Sequence, residues 1–271
     1  MLECVINISE GQNATTLRAL QDTCRNALLD LHTDAHHHRS VFTLGGPHVE
    51  EAARELTRRA VELIDIREHH GVHPRIGVVD VVPFVPLPDT TSTMHEAVRA
   101  QTAFAQWVAS ELHIPAFLYG ASRSLPELRK GAFTTFPPEF GPTAPHETAG
   151  AIAVGHRPVL IAYNLWLKSH DIRLSKAIAR SIRRPGLRAL GLDVGGTAQV
   201  SCNIVDTDAI SPGIAYDLVL QHAGIERAEL VGLLPRNVLL RQDTDRWKQL
   251  DLSLDQTIEA RLSRLTGQDG P

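Results

Sequence analysis

The segment 69–77 places three histidines and one arginine close together, in the order His-His-Gly-Val-His-Pro-Arg-Ile-Gly. Imidazole titrates near neutral pH, so such a segment suits proton transfer or metal binding. Pro74 holds the residue before it, His73, toward extended geometry, and the two glycines permit close approach of the backbone. Arg75 can bind a carboxylate through two hydrogen bonds. We therefore expect an anchored polar loop in which His73 transfers protons and Arg75 binds an anion.

A second histidine run at residues 36–38 raises the alternative of a metal site. Three adjacent residues in one turn rarely all face the same ion, and no cysteine lies beside them to complete a zinc site. We therefore predict no metal, and a metal-binding histidine protein remains the alternative.

Composition narrows the class of protein. The 271 residues, 43% hydrophobic and 21% charged, allow one large domain or two small globular ones. A net charge of −4 argues against nucleic-acid binding through overall charge. We find neither a signal-peptide pattern nor an apolar run near the roughly 20 residues of a membrane span, and we expect no membrane partner. Three scattered cysteines predict no disulfide framework and a cytoplasmic location.

Hydrophobic periodicity predicts the elements that must position these groups. In the first half it favours strands at 2–8, 29–33, 39–44 and 76–85, with helices at 13–28 and 48–66. Thr93 and Glu96 have capping-box spacing and open a helix to about residue 112, followed by a strand at 114–119. Residues 121–149 are interpreted as loop.

The second half repeats the order of the first. Strands are predicted at 159–165, 186–192, 198–205 and 227–233, with helices at 171–182, from Ser211-Pro212 to about 224, and at 253–265. The order β-α-β-β-α-β in both halves indicates an α+β fold, a tandem repeat of two ferredoxin-like subdomains. We expect the subdomains at residues 1–157 and 158–271. A groove between their sheets is then the expected ligand site.

The segment 69–77, written His-x-Gly-x-His-Pro-Arg-x-Gly, continues as Asp80 and Val-x-Pro-Phe-x-Pro at 81–86. Together these resemble the signature of the formiminotransferase family. Further stretches agree in order along roughly residues 2–240: Glu3-Cys4-Val5, Ser9-Glu10-Gly11, His38-Arg39-Ser40-Val41, Phe140-Gly141-Pro142, Leu160-Ile161-Ala162-Tyr163-Asn164, Ala198-Gln199-Val200-Ser201 and Glu229-Leu230-Val231-Gly232-Leu233.

The resemblance implies an activity and a co-substrate. Members of this family transfer a formimino group from N-formimino-L-glutamate to tetrahydrofolate, a step of histidine degradation, and form close dimers. The catalytic histidine of the family corresponds to His73. The expected partners of this chain are therefore two small molecules, formiminoglutamate and tetrahydrofolate, and a second copy of the chain.

Other polar residues lie in or near the matching segments. For the anionic substrates, Arg39 and Arg75 are the first candidates and Arg157 the third. We expect hydrogen bonds to the pterin ring or the formimino nitrogen from Asn164, Gln199 and Asn203. Asp80 lies in an apolar strand, where it either pairs with an arginine or orients His73.

The chain also departs from the family. His32 stands where the family has an aspartate that can support the catalytic imidazole, and His38 stands where it has asparagine. The run at 145–150 replaces one that contains tryptophan. These departures leave an alternative open, namely a divergent folate-binding paralogue with another one-carbon donor or with no transfer activity.

Overall fold

The order β-α-β-β-α-β occurs twice along the chain, once in each of two structural units. The computed structural model describes residues 1–71, 74–87, 91–120 and 122–267. The first unit is Met1–Pro158 and the second is Val159–Pro271.

The first unit contains one six-stranded sheet and four helices. Its strands are β1 (Leu2–Ile8), β2 (Leu28–Asp34), β3 (Arg39–Gly45), β4 (Val79–Pro86), β5 (Ala116–Tyr119) and β6 (Ile152–His156). Its helices are α1 (Ala14–Thr23), α2 (Val49–Leu63), α3 (Met94–Glu111) and α4 (Leu125–Gly131). The sheet order is β2-β3-β1-β4-β6-β5. The first four strands are antiparallel neighbours, and β6 runs parallel to both β4 and β5.

Strand β4 is the centre of this unit, and seven of its eight residues are buried. Val82 and Phe84 belong to the main core with residues of α1, α2 and α3. Val81 packs instead in a smaller cluster with Phe117 and Leu128. Burial on both faces explains why the strand is a continuous apolar run rather than an alternating one. The buried strand also fixes the position of Asp80, the charged residue in that run.

The second unit has one four-stranded antiparallel sheet. Its strands are β7 (Ile161–Leu167), β8 (Leu187–Val194), β9 (Thr197–Ile204) and β10 (Ile225–Val231), and its helices are α5 (Ile172–Ile182), α6 (Pro212–Leu220), α7 (Arg236–Leu240) and α8 (Ile258–Thr266). The strand order β10-β7-β9-β8 repeats the order β4-β1-β3-β2 of the first unit. The predicted α+β fold of two tandem ferredoxin-like repeats is confirmed.

Several element boundaries differ from the predicted ones for local reasons. Helix α2 ends at Leu63 because Ile64 adopts extended backbone, after which Asp65 caps a short 3₁₀ turn. Strand β4 begins at Val79 rather than at residue 76. The stretch predicted as loop contains α4, whose capping box joins Ser124 and Glu127. Strand β6 is a further element that the predicted order lacks; it inserts between β4 and β5.

Candidate functional site

Asp80 organises the polar centre of the first unit. Its carboxylate is almost fully buried. One oxygen, Oδ1, accepts a hydrogen bond from the backbone N–H of Ile76 at 2.9 Å. The other oxygen pairs with the guanidinium of Arg129 on α4. Asp80 therefore connects α4 to the residues that precede β4. Pairing with an arginine, one of the two roles expected for Asp80 from the sequence, is observed.

Arg39, at the start of β3, belongs to the same charged group. Its Nε donates to Oδ1 of Asn7 at 3.2 Å, and its charge interacts with those of Asp80, Arg129 and Arg75. Burial lowers the pKa of Arg39 to about 10, with Arg129 and Arg75 acting in the same direction and Asp80 opposing them. The side chain is therefore still cationic at neutral pH. Three guanidinium groups against one carboxylate leave this group with excess positive charge, which suits an anionic ligand.

Arg75 connects this group to the histidine-rich loops. Its guanidinium contacts the ring of His69 and donates from Nη2 to the carbonyl oxygen of His37 at 3.1 Å. His69 donates from Nε2 to the carbonyl of His38 at 2.9 Å and accepts the N–H of Gly71 at Nδ1, at 3.0 Å. Burial, together with the charge of Arg75, lowers the pKa of His69 against an opposing hydrogen bond to His38. His69 therefore has a structural role as a neutral ring.

Gly71 lies where the two loops meet. A Cβ atom there would lie 2.6 Å from Nη2 of Arg75, from the carbonyl oxygen of His37 and from Cε1 of His69. Such distances are far below van der Waals contact, so only glycine fits this position without movement of its neighbours. His73, the predicted catalytic residue two positions further on, lies outside the described residues.

Glu10 fixes the loop between β1 and α1, which contacts the turn between β2 and β3 through Gly11 and His38. Its Oε1 accepts the backbone N–H groups of Gly11, Gln12 and Asn13 at 2.7–2.9 Å. His38 accepts the Gly11 N–H at Nδ1, at 3.2 Å, and has a φ of 49°. Histidine and asparagine are among the residues that enter this left-handed region most readily, which is compatible with His38 at a position where the family has asparagine.

Arg157 follows β6 and lies near Tyr119 at the end of β5. Burial raises the pKa of Tyr119, while the charge of Arg157 lowers it. Tyr119 also interacts electrostatically with Arg129 and Asp80. Arg157 therefore acts on Tyr119 through its charge, and its Nη1 donates to the carbonyl of Pro158 at 3.1 Å.

Three predicted binding residues lie in the second unit, on the sheet face opposite its core. Asn164 of β7 pairs with Ser201 of β9, and Gln199 and Asn203 are the next residues on that side of β9. Asn164 donates to Oε2 of Glu229 at 3.1 Å. Gln199 is 1% exposed, yet neither its amide nitrogen nor its oxygen has a hydrogen-bond partner among the described residues. A buried amide left unpaired costs about 1–3 kcal/mol, a cost that pairing with any polar atom would remove.

The first unit also contains a cavity of about 210 Å³ that His38 and His69 help to line. Glu10, Asp65 and Glu68 are among its lining residues. Three carboxylates make this cavity unsuited to an anionic substrate, in contrast to the arginine group.

Sequence reasoning misses two features of the site. Arg129 escapes it because residues 121–149 are predicted as loop, although Ser124 and Glu127 have the spacing of a capping box. The second feature is the hydrogen-bonded pair of Asp34 and His37, three residues apart in the β2–β3 turn. An Asx-type turn is the signal that could have predicted it.

The described parts of the chain contain neither a cluster of metal ligands nor a helix that could span a membrane. No group of three or more His, Cys, Asp or Glu side chains there is arranged to hold a metal ion. None of the helices described above has the length and apolar character required to cross a bilayer.

Comparison with known proteins identifies the family. The formiminotransferase domain, N-terminal subdomain, matches residues 1–157. A glutamate formimidoyltransferase of Streptococcus pyogenes serotype M1 is 37% identical over 273 residues, which cover 89% of this chain and 91% of that protein. A glutamate formimidoyltransferase of Thermoplasma acidophilum is 32% identical, with 89% and 90% covered.

A formimidoyltransferase-cyclodeaminase of Sus scrofa is 36% identical over 278 residues. These cover 89% of this chain and 51% of that protein, so the chain spans about half the length of this relative. Matches that extend over nine-tenths of two other relatives, together with the repeated fold, leave one conclusion. The chain belongs to the formiminotransferase family.

Proposed function

We propose that this protein is a glutamate formimidoyltransferase, which moves the formimino group of N-formimino-L-glutamate to tetrahydrofolate in histidine degradation. The observation that carries the proposal is the cationic group of Arg39, Arg75 and Arg129 around one buried carboxylate, beside the loop that contains the family's catalytic histidine. Both substrates are anions at neutral pH, since each bears glutamate carboxylates.

Arg39 and Arg75 bind substrate carboxylates in this proposal, and Arg157 contributes a further positive charge. Arg39 is held by Asn7 at the start of a strand, so little side-chain entropy is lost when a carboxylate binds. Asp80 and Arg129 have a positioning role in this proposal. Their buried pair fixes the backbone at Ile76, one residue after Arg75.

His73 is the proposed acid–base residue. The N5 nitrogen of tetrahydrofolate attacks the formimino carbon and must lose a proton, and the glutamate nitrogen must gain one before it leaves. An imidazole near its ordinary pKa can perform such transfers, which typically contribute about 10²–10⁴-fold to the rate. The close packing of Gly71 and the contacts of Arg75 anchor the loop on both sides of His73.

Asn164, Gln199 and Asn203 are proposed to hydrogen-bond the pterin ring or the formimino nitrogen. Gln199 has the strongest support, because a ligand that pairs its buried amide would remove the cost of leaving it unsatisfied. The resemblance to the family also leads us to expect a homodimer. The three cysteines are free and buried, which is compatible with the reducing cytoplasm that we expect as its location.

The test is an assay of formimino transfer with purified protein, with His73→Ala beside the wild type. We expect turnover in the wild type, a loss of at least about 100-fold in kcat for His73→Ala, and unchanged tetrahydrofolate binding. Binding without turnover in the wild type would favour the folate-binding paralogue. Turnover that is unaffected by His73→Ala would contradict the proposed mechanism.

A further inference from the structure

Asp34 and His37 form a carboxylate–imidazole pair in the turn between β2 and β3. Oδ2 of Asp34 lies 2.7 Å from Nδ1 of His37, and Oδ1 accepts the backbone N–H of His37 at 2.9 Å. Both carboxylate oxygens therefore hold the same residue. The side chains are 29% and 14% exposed, so the pair is largely shielded but still within reach of a ligand.

The geometry fixes which ring nitrogen of His37 carries hydrogen. A carboxylate accepts hydrogen bonds, so Nδ1 is the protonated nitrogen, and Nε2 is the atom that gains or gives up a second proton. Burial raises the pKa of Asp34, but the side-chain and backbone hydrogen bonds from His37 outweigh it and hold that pKa well below its ordinary value. Asp34 is thus ionised at neutral pH and orients the ring, as the carboxylate does in a catalytic triad.

Contacts of the main chain place the backbone of His37 beside Arg75 of the cationic group. Arg75 donates to the carbonyl oxygen of His37 at 3.1 Å, and Gly71 packs against the same oxygen. The charge of Arg75 in turn acts on Arg39. A substrate carboxylate bound by these arginines would therefore lie near the His37 turn.

We infer that His37, oriented by Asp34, is a second proton-transfer residue of the reaction and protonates the leaving nitrogen. This inference rests on the proposed function. It assigns to His37 the second of the two proton transfers, so that His73 remains the base and His37 is the acid.

The proposed step balances in atoms and charge. A bond forms between N5 of tetrahydrofolate and the formimino carbon as the C=N π bond opens and its electron pair moves to the formimino nitrogen, and the N5 proton passes to His73. That electron pair then re-forms the C=N bond while the bond from the carbon to the glutamate nitrogen breaks, and the electron pair of the broken bond stays on the glutamate nitrogen. This nitrogen takes a proton from Nε2 of the His37 imidazolium. One proton is removed and one is supplied, so exchange with solvent restores both rings.

Donors with different leaving groups test this role. N-formimino-L-glutamate expels a basic alkylamine that needs a proton, whereas 4-(formimidoylamino)benzoate keeps a carboxylate but expels a weakly basic arylamine. For His37→Gln we expect kcat to fall by at least about 100-fold with the first donor and by less than about tenfold with the second. Asp34→Asn, which keeps the shape of the turn, should show the same donor dependence with a smaller loss.

His36→Gln is the matched control, because it removes an exposed imidazole from the same turn and leaves the side chains of Asp34 and His37 in place. It should keep wild-type kcat with both donors. An equal loss with both donors, or no loss in His37→Gln, would overturn the inference, and Asp34→Asn decides the matter if His37→Gln does not fold. Wild-type protein without turnover of either donor would overturn the proposed function itself, and the role of His37 with it.

Discussion

Replacement of Arg129 by methionine is expected to destabilise the first unit by about 3 kcal/mol. Removal of one partner of a buried ion pair typically costs about 3–5 kcal/mol, because the remaining charge is buried without compensation. The Asp80 side chain is 3% exposed and that of Arg129 is 21% exposed, so the pair belongs to the buried class. In the variant, Asp80 keeps the N–H of Ile76 and the nearby charges of Arg39 and Arg75. Because these partners remain, we expect the loss of stability to lie at the lower end of the range of about 3–5 kcal/mol.

Thermal and urea unfolding measure this loss. For a unit of this size, about 3 kcal/mol corresponds to a fall in Tm of roughly 6–12 °C. Arg59→Met is the matched control: Arg59 forms an exposed pair with Glu62 on α2, at 2.9 Å and with side chains 43% and 51% exposed. We expect its loss to remain within about 1 kcal/mol.

A double-mutant cycle separates the pair from the rest of the contacts. Asp80→Asn removes the negative charge, so the double variant Asp80→Asn/Arg129→Met should recover much of the stability lost by Arg129→Met alone. If the two losses simply add, or if Arg129→Met behaves like the Arg59 control, then Asp80 and Arg129 do not stabilise the unit as a pair and the reasoning is refuted.

Three further predictions follow from the same contacts. Gly71→Ala should reduce kcat strongly in a folded protein, because its Cβ would displace Arg75, His37 or His69; wild-type kinetics would contradict this. Arg39→Met should raise the KM for formiminoglutamate, with a smaller effect on kcat; an unchanged KM would show that Arg39 binds no substrate carboxylate. Asp34 has a lowered folded-state pKa, so its contribution to stability is present above its unfolded pKa of about 3.9 and disappears as the pH falls through the lower folded value. Asp34→Asn should therefore be less stable than wild type at pH 6 and approach it in acid, and a stability difference independent of pH would contradict this.

The repeated fold could be predicted from sequence because each half contains strong local signals. Apolar runs and capping residues such as Thr93 with Glu96 and Ser211 before Pro212 fix the type of each element. The missed elements have weaker signals. Helix α4 is only seven residues long, and β6 gains its strand character from its two parallel neighbours rather than from its own five residues.

The candidate site was predictable in part. Residue type and the matching segments indicate Arg39, Arg75 and Asp80, and these residues come together in the first unit. Arg129 could not be selected in this way, since its role depends on a long-range contact with Asp80 across 49 positions of sequence. Such contacts follow from the sheet order, which local periodicity does not determine.

The contacts in the turn between β2 and β3 bear on the two positions, 32 and 38, at which the chain departs from the family. His32 replaces the expected aspartate, and Asp34 lies two residues later on the same side of β2. That aspartate accepts two hydrogen bonds from His37, and the turn is held by His38 in a left-handed conformation. In this chain the carboxylate lies two residues further along the sequence, and the imidazole of His37 lies beside it. The hairpin therefore contains a carboxylate–imidazole pair even though residues 32 and 38 differ from those of the family.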